Sequence, residues 1–473
     1  MKTAKLLLLL LVMTHNASAQ CYSKIVSYSR CYIALQTDGT LWSKGANFNR
    51  RLLGFGDIPP PTEFTQIGTD DNWTENISIT GENVFAIKTD GALWVWGRNS
   101  SSGSTGLGTF DVISYITPTQ VGTDTDWAKV STGSGVTVAI KTDGTLWSWG
   151  SNAGGSLGIG NLDDLYKINV PVQVGTDTNW KNVYTGITGL AYAIKTNGTL
   201  WSWGNNGLQL GYPNAIANNN YRYPKQVGTD TWKTIAIGLN GPMIDGIKTD
   251  NTLWGWGISN QGSYMFGNGT EMFTSEFPIQ IGTASDWKEI GLAQSTSLGL
   301  KTNGTRWGWG RNSTSYQLGM GAGFINDVIV PTQLDSDTDW KTLSIDLDNG
   351  VGDGIKQTNT LYHWGGTHQN IVYQLPTLFS NSNCTLGVGD FETSLLYTYP
   401  NPANEYVHIR LNQNTGQNAE IFLCNQLGQK LLSKYAEIVN QEIMLDLSSN
   451  ATGVYFLTLK INGQVYKTKI IKN

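Results

Sequence analysis

Short runs in which apolar and polar residues alternate, joined by Asp-Gly or Asn-Gly, fill residues 21–379. The clearest unit is Ile140-Lys-Thr-Asp-Gly-Thr-Leu-Trp-Ser-Trp-Gly150. Asp-Gly between two β-branched or alternating runs predicts a type I′ hairpin, because Gly and Asn tolerate positive φ. The turns fall at Asp38-Gly39, Asp90-Gly91, Asp143-Gly144, Asn197-Gly198 and Asn303-Gly304, with Asp250-Asn251 and Thr358-Asn359 in the same place. Two further runs lie upstream of each hairpin, a Pro-x-Gln-Val stretch (from Pro118, Pro171, Pro278 and Pro331) and an Asp-Trp-Lys stretch. Each unit therefore predicts four antiparallel strands.

The first Trp of the unit recurs at Trp42, Trp94, Trp147, Trp201, Trp254 and Trp307, with Tyr362 in the seventh copy, at spacings of 52, 53, 54, 53, 53 and 55. A fixed period of about fifty residues with four strands matches a propeller blade rather than a solenoid. Seven copies close a ring. The predicted fold class is all-β, a seven-bladed β-propeller followed by a small Ig-like β-sandwich.

All 18 tryptophans occupy three repeat positions: the Leu-Trp site, the Trp-Gly site (Trp96, Trp149, Trp203, Trp256, Trp309, Trp364) and the Asp-Trp site (Trp73, Trp127, Trp180, Trp232, Trp287, Trp340). Residues two apart on a strand share a face. Trp147 and Trp149 are thus expected to fill the wedge between blades as core.

Aligned on the third copy, the first copy begins in mid-blade: Cys21 falls on Asp126 and Tyr22 on Trp127. Its opening strand reappears as Pro376-Thr-Leu-Phe379, and Cys384 lies eight residues past Pro376 as Asp126 lies eight past Pro118. The expectation is that the last strand completes the first blade and that a Cys21–Cys384 disulfide bolts the ring. Cys21–Cys31 is the competing pair, and Cys424 is left free.

Lys2 and Lys5, the apolar run Leu6 to Met13 and Ala17-Ser-Ala19 form a secretory leader over residues 1–19, with cleavage between Ala19 and Gln20. Export permits disulfides. No other stretch has the length of a transmembrane helix. A net charge of −5 argues against an electrostatic nucleic-acid footprint.

The repeat region is assigned to residues 20–386 and a linker to 387–394. Residues 395–473 change character, with Tyr399-Pro400-Asn401-Pro402 leading into alternating runs that predict a β-sandwich. This segment resembles the type A C-terminal sorting domain of proteins exported by the type IX secretion system of Bacteroidota. The matching pieces are Tyr399, Pro400, Asn401 and Pro402, the Asn425-Gln-Leu-Gly-Gln429 turn, Leu445-Asp-Leu447, Gly453 and Tyr455, and the basic end with Lys469 and Lys472. The resemblance implies the type IX machinery as a partner, Sec export to the periplasm, outer-membrane passage, and a secreted or cell-surface protein.

The repeat resembles the regulator of chromosome condensation family through Trp149-Gly-Ser-Asn-Ala-Gly-Gly-Ser-Leu-Gly-Ile-Gly160 and Gln317-Leu-Gly-Met-Gly321. Fold transfers from such a likeness and function does not. The family's nucleotide-exchange role does not suit an exported acidic chain. A secreted bacterial β-lactamase inhibitor with the same propeller works by binding a protein.

Catalytic chemistry is not indicated, and no cofactor or metal is expected. The three histidines of the mature chain, His363, His368 and His408, lack metal spacing and read as solvated loop residues. No Gly-x-Ser-x-Gly elbow or phosphate loop occurs. Asp124-x-Asp126 and Asp337-x-Asp339 resemble calcium loops but lack the Gly and distal Glu. Lys88, Lys141, Lys195, Lys248, Lys301 and Lys356 share one strand position and read as structure.

From the Trp-Gly glycine to the next Pro there are 21 residues after Gly97, Gly150, Gly257 and Gly310, 20 after Gly204, 16 after Gly45 and 11 after Gly365. Five long loops should raise a rim beside a low sector at blades one and seven. Their non-repeating aromatics, Phe110, Tyr115, Tyr166, Tyr212, Tyr221, Tyr223, Tyr264, Phe266, Phe273, Tyr316 and Phe324, are the candidate binding rim for a protein or glycan partner. The expected function is an exported, non-catalytic, monomeric binding propeller. The alternatives are a secreted hydrolase with a channel site and a structural adhesion component.

Overall fold

A computed structural model describes residues 21–379 except 46–51, 58, 60, 62, 134, 161–165, 187–188, 205–208, 213–220, 239–242, 259–265, 271–273, 294–295, 313–315, 322–325, 347–350, 369–370. It then describes 396–399, 402–411, 418–425, 430–439, 442–461 and 464–473. The leader with Ala19 and Gln20, the linker 387–394, Cys384, Pro400 and Asn401 lie outside these residues. The chain divides into two compact units, Gln20–Ser382 and one holding Asn383–Asn473.

In the first unit, four-stranded antiparallel sheets recur seven times. Blade three is typical: the inner strand Trp127–Thr132, then Val136–Lys141, Leu146–Ser151 and the outer strand Lys167–Gln173. Blades four and five are fused because the strand Tyr221–Ile237 is the outer strand of one and the inner strand of the other.

The phase of the blades differs from the sequence reading. The Pro-x-Gln-Val strand closes the preceding blade instead of opening the next, since it pairs back onto the Trp-Gly strand, as Trp147 with Gln173. Blade one is therefore complete in itself, with Trp42 opposite Gln66. The last strand, Thr377–Leu378, pairs with Leu361–Trp364 and completes blade seven, not blade one. The expected strand exchange between the chain ends does not occur.

The ring closes by packing and hydrogen bonds. At six boundaries the inner-strand Trp donates its N–H to the hairpin turn of the blade before, as Trp127 to Gly91 and Trp180 to Gly144. The seventh boundary repeats this bond between Tyr22 and the Asn359 carbonyl, 3.0 Å apart. Tyr22, Tyr32, Phe64, Ile355, Leu361 and Phe379 form one buried cluster across that seam. The turn glycines are required: a Cβ on Gly91, at φ 82°, would stand 2.1 Å from the Thr125 carbonyl oxygen.

In blades two, three and six the inner-strand Trp packs against both Trp of the third strand, and in blade seven Trp340 packs against Tyr362 and Trp364. Trp127 lies 6.0 Å from both Trp147 and Trp149, edge to face. The strand between must carry a small residue there, Ala34, Ala86, Ala139, Ala193, Gly246, Gly299 or Gly354. A Cβ on Gly299 would sit 2.4 Å from Trp287. The Trp-Gly indoles are fully buried, whereas the Leu-Trp indoles are only half-buried, capped by lysine.

The second unit is a β-sandwich. One sheet comprises Leu396–Tyr399, Tyr406–Leu411 and Glu442–Asp446. The other comprises Lys430–Glu437, Asn418–Asn425, Gly453–Ile461 and Gln464–Lys472. Val407, Ile409, Ile421, Leu423, Leu445, Leu457 and Leu459 fill the space between.

Candidate binding rim

The Leu-Gly-x-Gly element is a clasp between neighbouring blades. Its first Gly lies against the next blade's Trp-Gly indole: a Cβ on Gly106 or Gly158 would be 2.7 Å from Nε1 of Trp149 or Trp203. The indoles donate to the carbonyl two residues before the Gly, Trp149 to Ser104 at 3.0 Å and Trp203 to Ser156 at 3.1 Å. The second Gly donates its N–H to the next outer strand, Gly108 to Asn169 and Gly160 to Arg222. The long loops are thus tied at their ends, which fixes where their tips emerge.

Sequence alone did not separate tips from packing. Phe266 and Tyr212 are buried, so both leave the candidate rim. Phe266 packs with Met243 and Leu292, and Tyr212 lies in the blade-four core with its ring 5.0 Å from Tyr221. Tyr115, Tyr221 and Tyr316 are half-buried. Tyr264, Phe273 and Phe324 lie outside the described residues. Phe110, Tyr166 (78% exposed) and Tyr223 (64% exposed) remain at the surface.

Further exposed apolar side chains, Val112, Ile113 and Val170, lie beside them, although the sequence reading took only the aromatics as candidates. Val170, Tyr223, Phe277, Val330 and Leu375 each precede the outer-strand Pro, all on exposed edges. That dipeptide was the available signal, since Pro favours edge strands. Phe110 and Val170 lie on adjoining elements: Lys167 sits 4.4 Å over the Phe110 ring, and Gly108 bonds Asn169. Across the next boundary the Tyr223 hydroxyl lies where a Cβ on Gly160 would be. The exposed strip therefore runs from blade two to blade four.

The opposite end of the repeat, beside the hairpin turns, is committed to structure. Lys141 lies 5.0 and 4.6 Å above the Trp127 and Trp147 rings, with its ammonium 2.7 Å from Asp124 and 3.1 Å from Asp126. Burial pulls its pKa down, but hydrogen bonds and charges from both carboxylates outweigh this and hold it above the usual range. Asp337 and Asp339 hold Lys356 in the same way. These carboxylates are thus already engaged by an internal cation.

His363 is buried at the seam of blades seven and one, not solvated as expected. Its Nδ1 lies 2.8 Å from Asp353, whose other oxygen accepts the Ser27 hydroxyl at 2.9 Å. The ring stacks on Phe379 at 4.5 Å. A carboxylate stands between hydroxyl and imidazole, so the trio lacks the Ser–His contact that nucleophile activation needs. Beside it, Asp346 accepts the N–H groups of Ser29 and Arg30, both at 3.0 Å.

In the sandwich, Tyr455 donates its hydroxyl to the Ala451 carbonyl. The buried Lys472 ammonium donates to the carbonyls of Leu447 at 2.6 Å, Ser448 at 3.3 Å and Asn450. The Lys469 side chain lies outside the described residues.

Residues 143–188 match the family described as the regulator of chromosome condensation (RCC1) repeat, and residues 397–473 match the secretion system C-terminal sorting domain. RUG3, a mitochondrial RCC1 domain-containing protein of Arabidopsis thaliana, is 31% identical over 203 residues, 40% of this chain and 43% of that protein. The ultraviolet-B receptor UVR8 of the same plant is 25% identical over 254 residues, 52% and 55% of the two chains. The chain thus spans about half the length of these relatives. The crystal structure of human WBSCR16 is similar at a TM-score of 0.59 and 20% identity, covering 70% of this chain and 85% of that one, which shows the fold. The chain thus carries an RCC1-type repeat at 143–188 within a β-propeller, followed at 397–473 by a segment matching a secretion system C-terminal sorting domain.

Proposed function

We propose that the protein is an exported, non-catalytic binding propeller that holds a protein or polysaccharide on the strip crossing blades two to four. The supporting observation is the concentration of Phe110, Val112, Ile113, Tyr166, Val170 and Tyr223 at the surface of a chain whose other propeller aromatics are mostly internal. Exposed apolar patches rimmed by polar residues mark interaction sites, and aromatic side chains dominate their energetics. Rigid tethering of the loops by the Leu-Gly-x-Gly clasps lowers the ordering cost of binding. The leader directs Sec export to the periplasm, and the sorting domain directs passage to the surface or medium.

The secreted protein is expected to capture a partner from extracellular protein or in a glycan array. Tyr166→Ala with Tyr223→Ala should weaken that capture by roughly tenfold or more, each lost contact being a central side chain. Capture that survives both substitutions, or an array and a proteome without any ligand, would remove this reading.

A Cys21–Cys384 disulfide belongs to the same proposal, although strand exchange is not its reason. Cys31 and Cys424 are free thiols, buried and half-buried, and Cys21 is disulfide-bonded. Backbone leaves every other outer strand and begins the next blade; after blade seven only Cys384 occupies the corresponding place in the sequence. Non-reducing peptide mapping of the secreted protein should find the two peptides joined. A Cys21 peptide joined to any other cysteine would refute the pairing.

A further inference from the structure

The sorting-domain residues separate into two groups. Tyr455, Leu447 and Lys472 are buried and tie the 447–451 loop to the sandwich, so their place in the motif is explained by folding. Tyr399 has no such role. It projects from the outer face of the three-stranded sheet and is 43% exposed. Across that sheet Tyr399 pairs with His408, and His408 pairs with Met444, so the three side chains stand side by side on one face. The Tyr399 and His408 rings stack at 5.4 Å with 14° between planes. Both hold the same carboxylate: the Tyr399 hydroxyl donates to Glu442 Oε1 at 2.7 Å, and His408 Nδ1 lies 2.8 Å from it. Met444 is 57% exposed, and Tyr406, two residues before His408 on the same face, is 43% exposed.

The outer face of such a sheet normally alternates to polar residues. Here, between the exposed charges of Arg410 and Asp446, it carries two tyrosines, an imidazole and a thioether, with the rings braced by Glu442. Pre-set aromatics beside a methionine suit a protein surface, since both groups are enriched where proteins meet.

We propose that this Tyr399–His408–Met444 strip, with Tyr406 beside it, is the surface by which the export apparatus reads the domain. The inference rests on the sorting reading above and names the contact within it. The strip lies wholly inside the segment matched as a sorting domain, 397–473. Its one motif residue, Tyr399, is left uncovered by the fold, as are Pro402 and Asp446, whereas Leu445, Leu447, Tyr455 and Lys472 are used internally. The partner is a protein of the secretion machinery presenting an apolar surface.

The test expresses the full chain in a host with a type IX system and measures the fraction released from cells. Met444→Glu and Tyr406→Ser remove exposed groups from the strip. Each is expected to lower release by roughly tenfold, as loss of a central contact does. Tyr435→Ser, on the other sheet and 75% exposed, should release normally. Unchanged thermal unfolding of the purified variants confirms that the fold is intact. Deletion of 395–473 separates the two levels. If that deletion releases normally, the sorting reading itself falls. If it blocks release while both strip variants are secreted like the parent, only the strip is refuted. Normal secretion with a shift from dimer to monomer in sedimentation would assign the strip to a second copy and likewise overturn the proposal.

Discussion

Arg306→Leu should destabilise the propeller by about 3–5 kcal/mol, the range for breaking a buried ion pair from one side. Leu nevertheless holds this position in the other blades, as Leu41, Leu93, Leu146, Leu200, Leu253 and Leu361. Arg306 is fully buried. Its Nε donates to Asp335 at 2.9 Å, Nη1 to the Leu318 carbonyl at 3.1 Å and Nη2 to the Gly319 carbonyl at 3.4 Å. The guanidinium carbon stands 4.2 Å from the Trp364 ring centre. Asp335 is itself a departure, because Gly68, Gly122, Gly175, Gly228 and Gly282 occupy that place elsewhere. Its second oxygen accepts the Trp340 indole N–H at 3.4 Å. Where the repeat has Gly there is no such acceptor, and the indoles of Trp73, Trp127, Trp180, Trp232 and Trp287 have no partner among the described residues.

The two departures in blade six are therefore one event, a buried cation together with the carboxylate that neutralises it. Arg306→Leu alone leaves Asp335 facing a desolvated indole cluster. Arg306→Leu combined with Asp335→Gly restores the repeat and should recover most of the loss, since a buried pair exchanged for apolar packing is close to neutral. Urea unfolding of the two single variants and the double variant measures this directly. A single-variant loss below about 1 kcal/mol, or a double variant no better than Arg306→Leu, would show that the two residues are not coupled.

The repeat made the blades legible because its period, its turns and its tryptophans all follow from one strand geometry. Phase was not legible. A period fixes the spacing of strands but not which sheet a strand joins, and the Pro171 strand pairs back onto the Trp147 strand. Burial of loop aromatics was equally hidden: Phe266 takes the Leu place in the clasp, as Leu157 and Leu318 do, so an apparent loop residue is a core residue. The signal was present in that alignment. The lysine clamp was legible as structure, but its carboxylate partners were not, because Asp and Asn alternate in the turn and only coordinates show which oxygen reaches the ammonium. His363 looked solvated because its partner, Asp353, is ten residues away and on a neighbouring strand.

Asp245 places a pH dependence in the joint between blades five and six. One carboxyl oxygen accepts the Ser297 hydroxyl of the next blade at 2.7 Å, while Oδ1 is buried without a partner among the described residues, beside Gly255, Ile281 and Phe266. Burial pushes its pKa up from 3.8 to about 7, and the Ser297 bond opposes this only in part. In the unfolded chain the same carboxyl ionises near its ordinary value. Between the two values the folded state retains a proton that the unfolded state has lost, so stability is full below about pH 4, falls as pH rises, and levels off above about 7. A separation of about three units corresponds to about 4 kcal/mol. Asp245→Asn keeps the shape and an acceptor for Ser297 but has no charge at any pH. The variant should therefore match the parent in acid and exceed it increasingly toward neutrality. Urea midpoints at intervals from pH 4.5 to 8 give the comparison, and every other titrating group cancels in the difference. A difference that stays constant across that range would mean that Asp245 is ionised in the folded protein at all these pH values. The joint would then have to hold a compensating group for Oδ1 that its described apolar neighbours, Gly255, Ile281 and Phe266, do not supply.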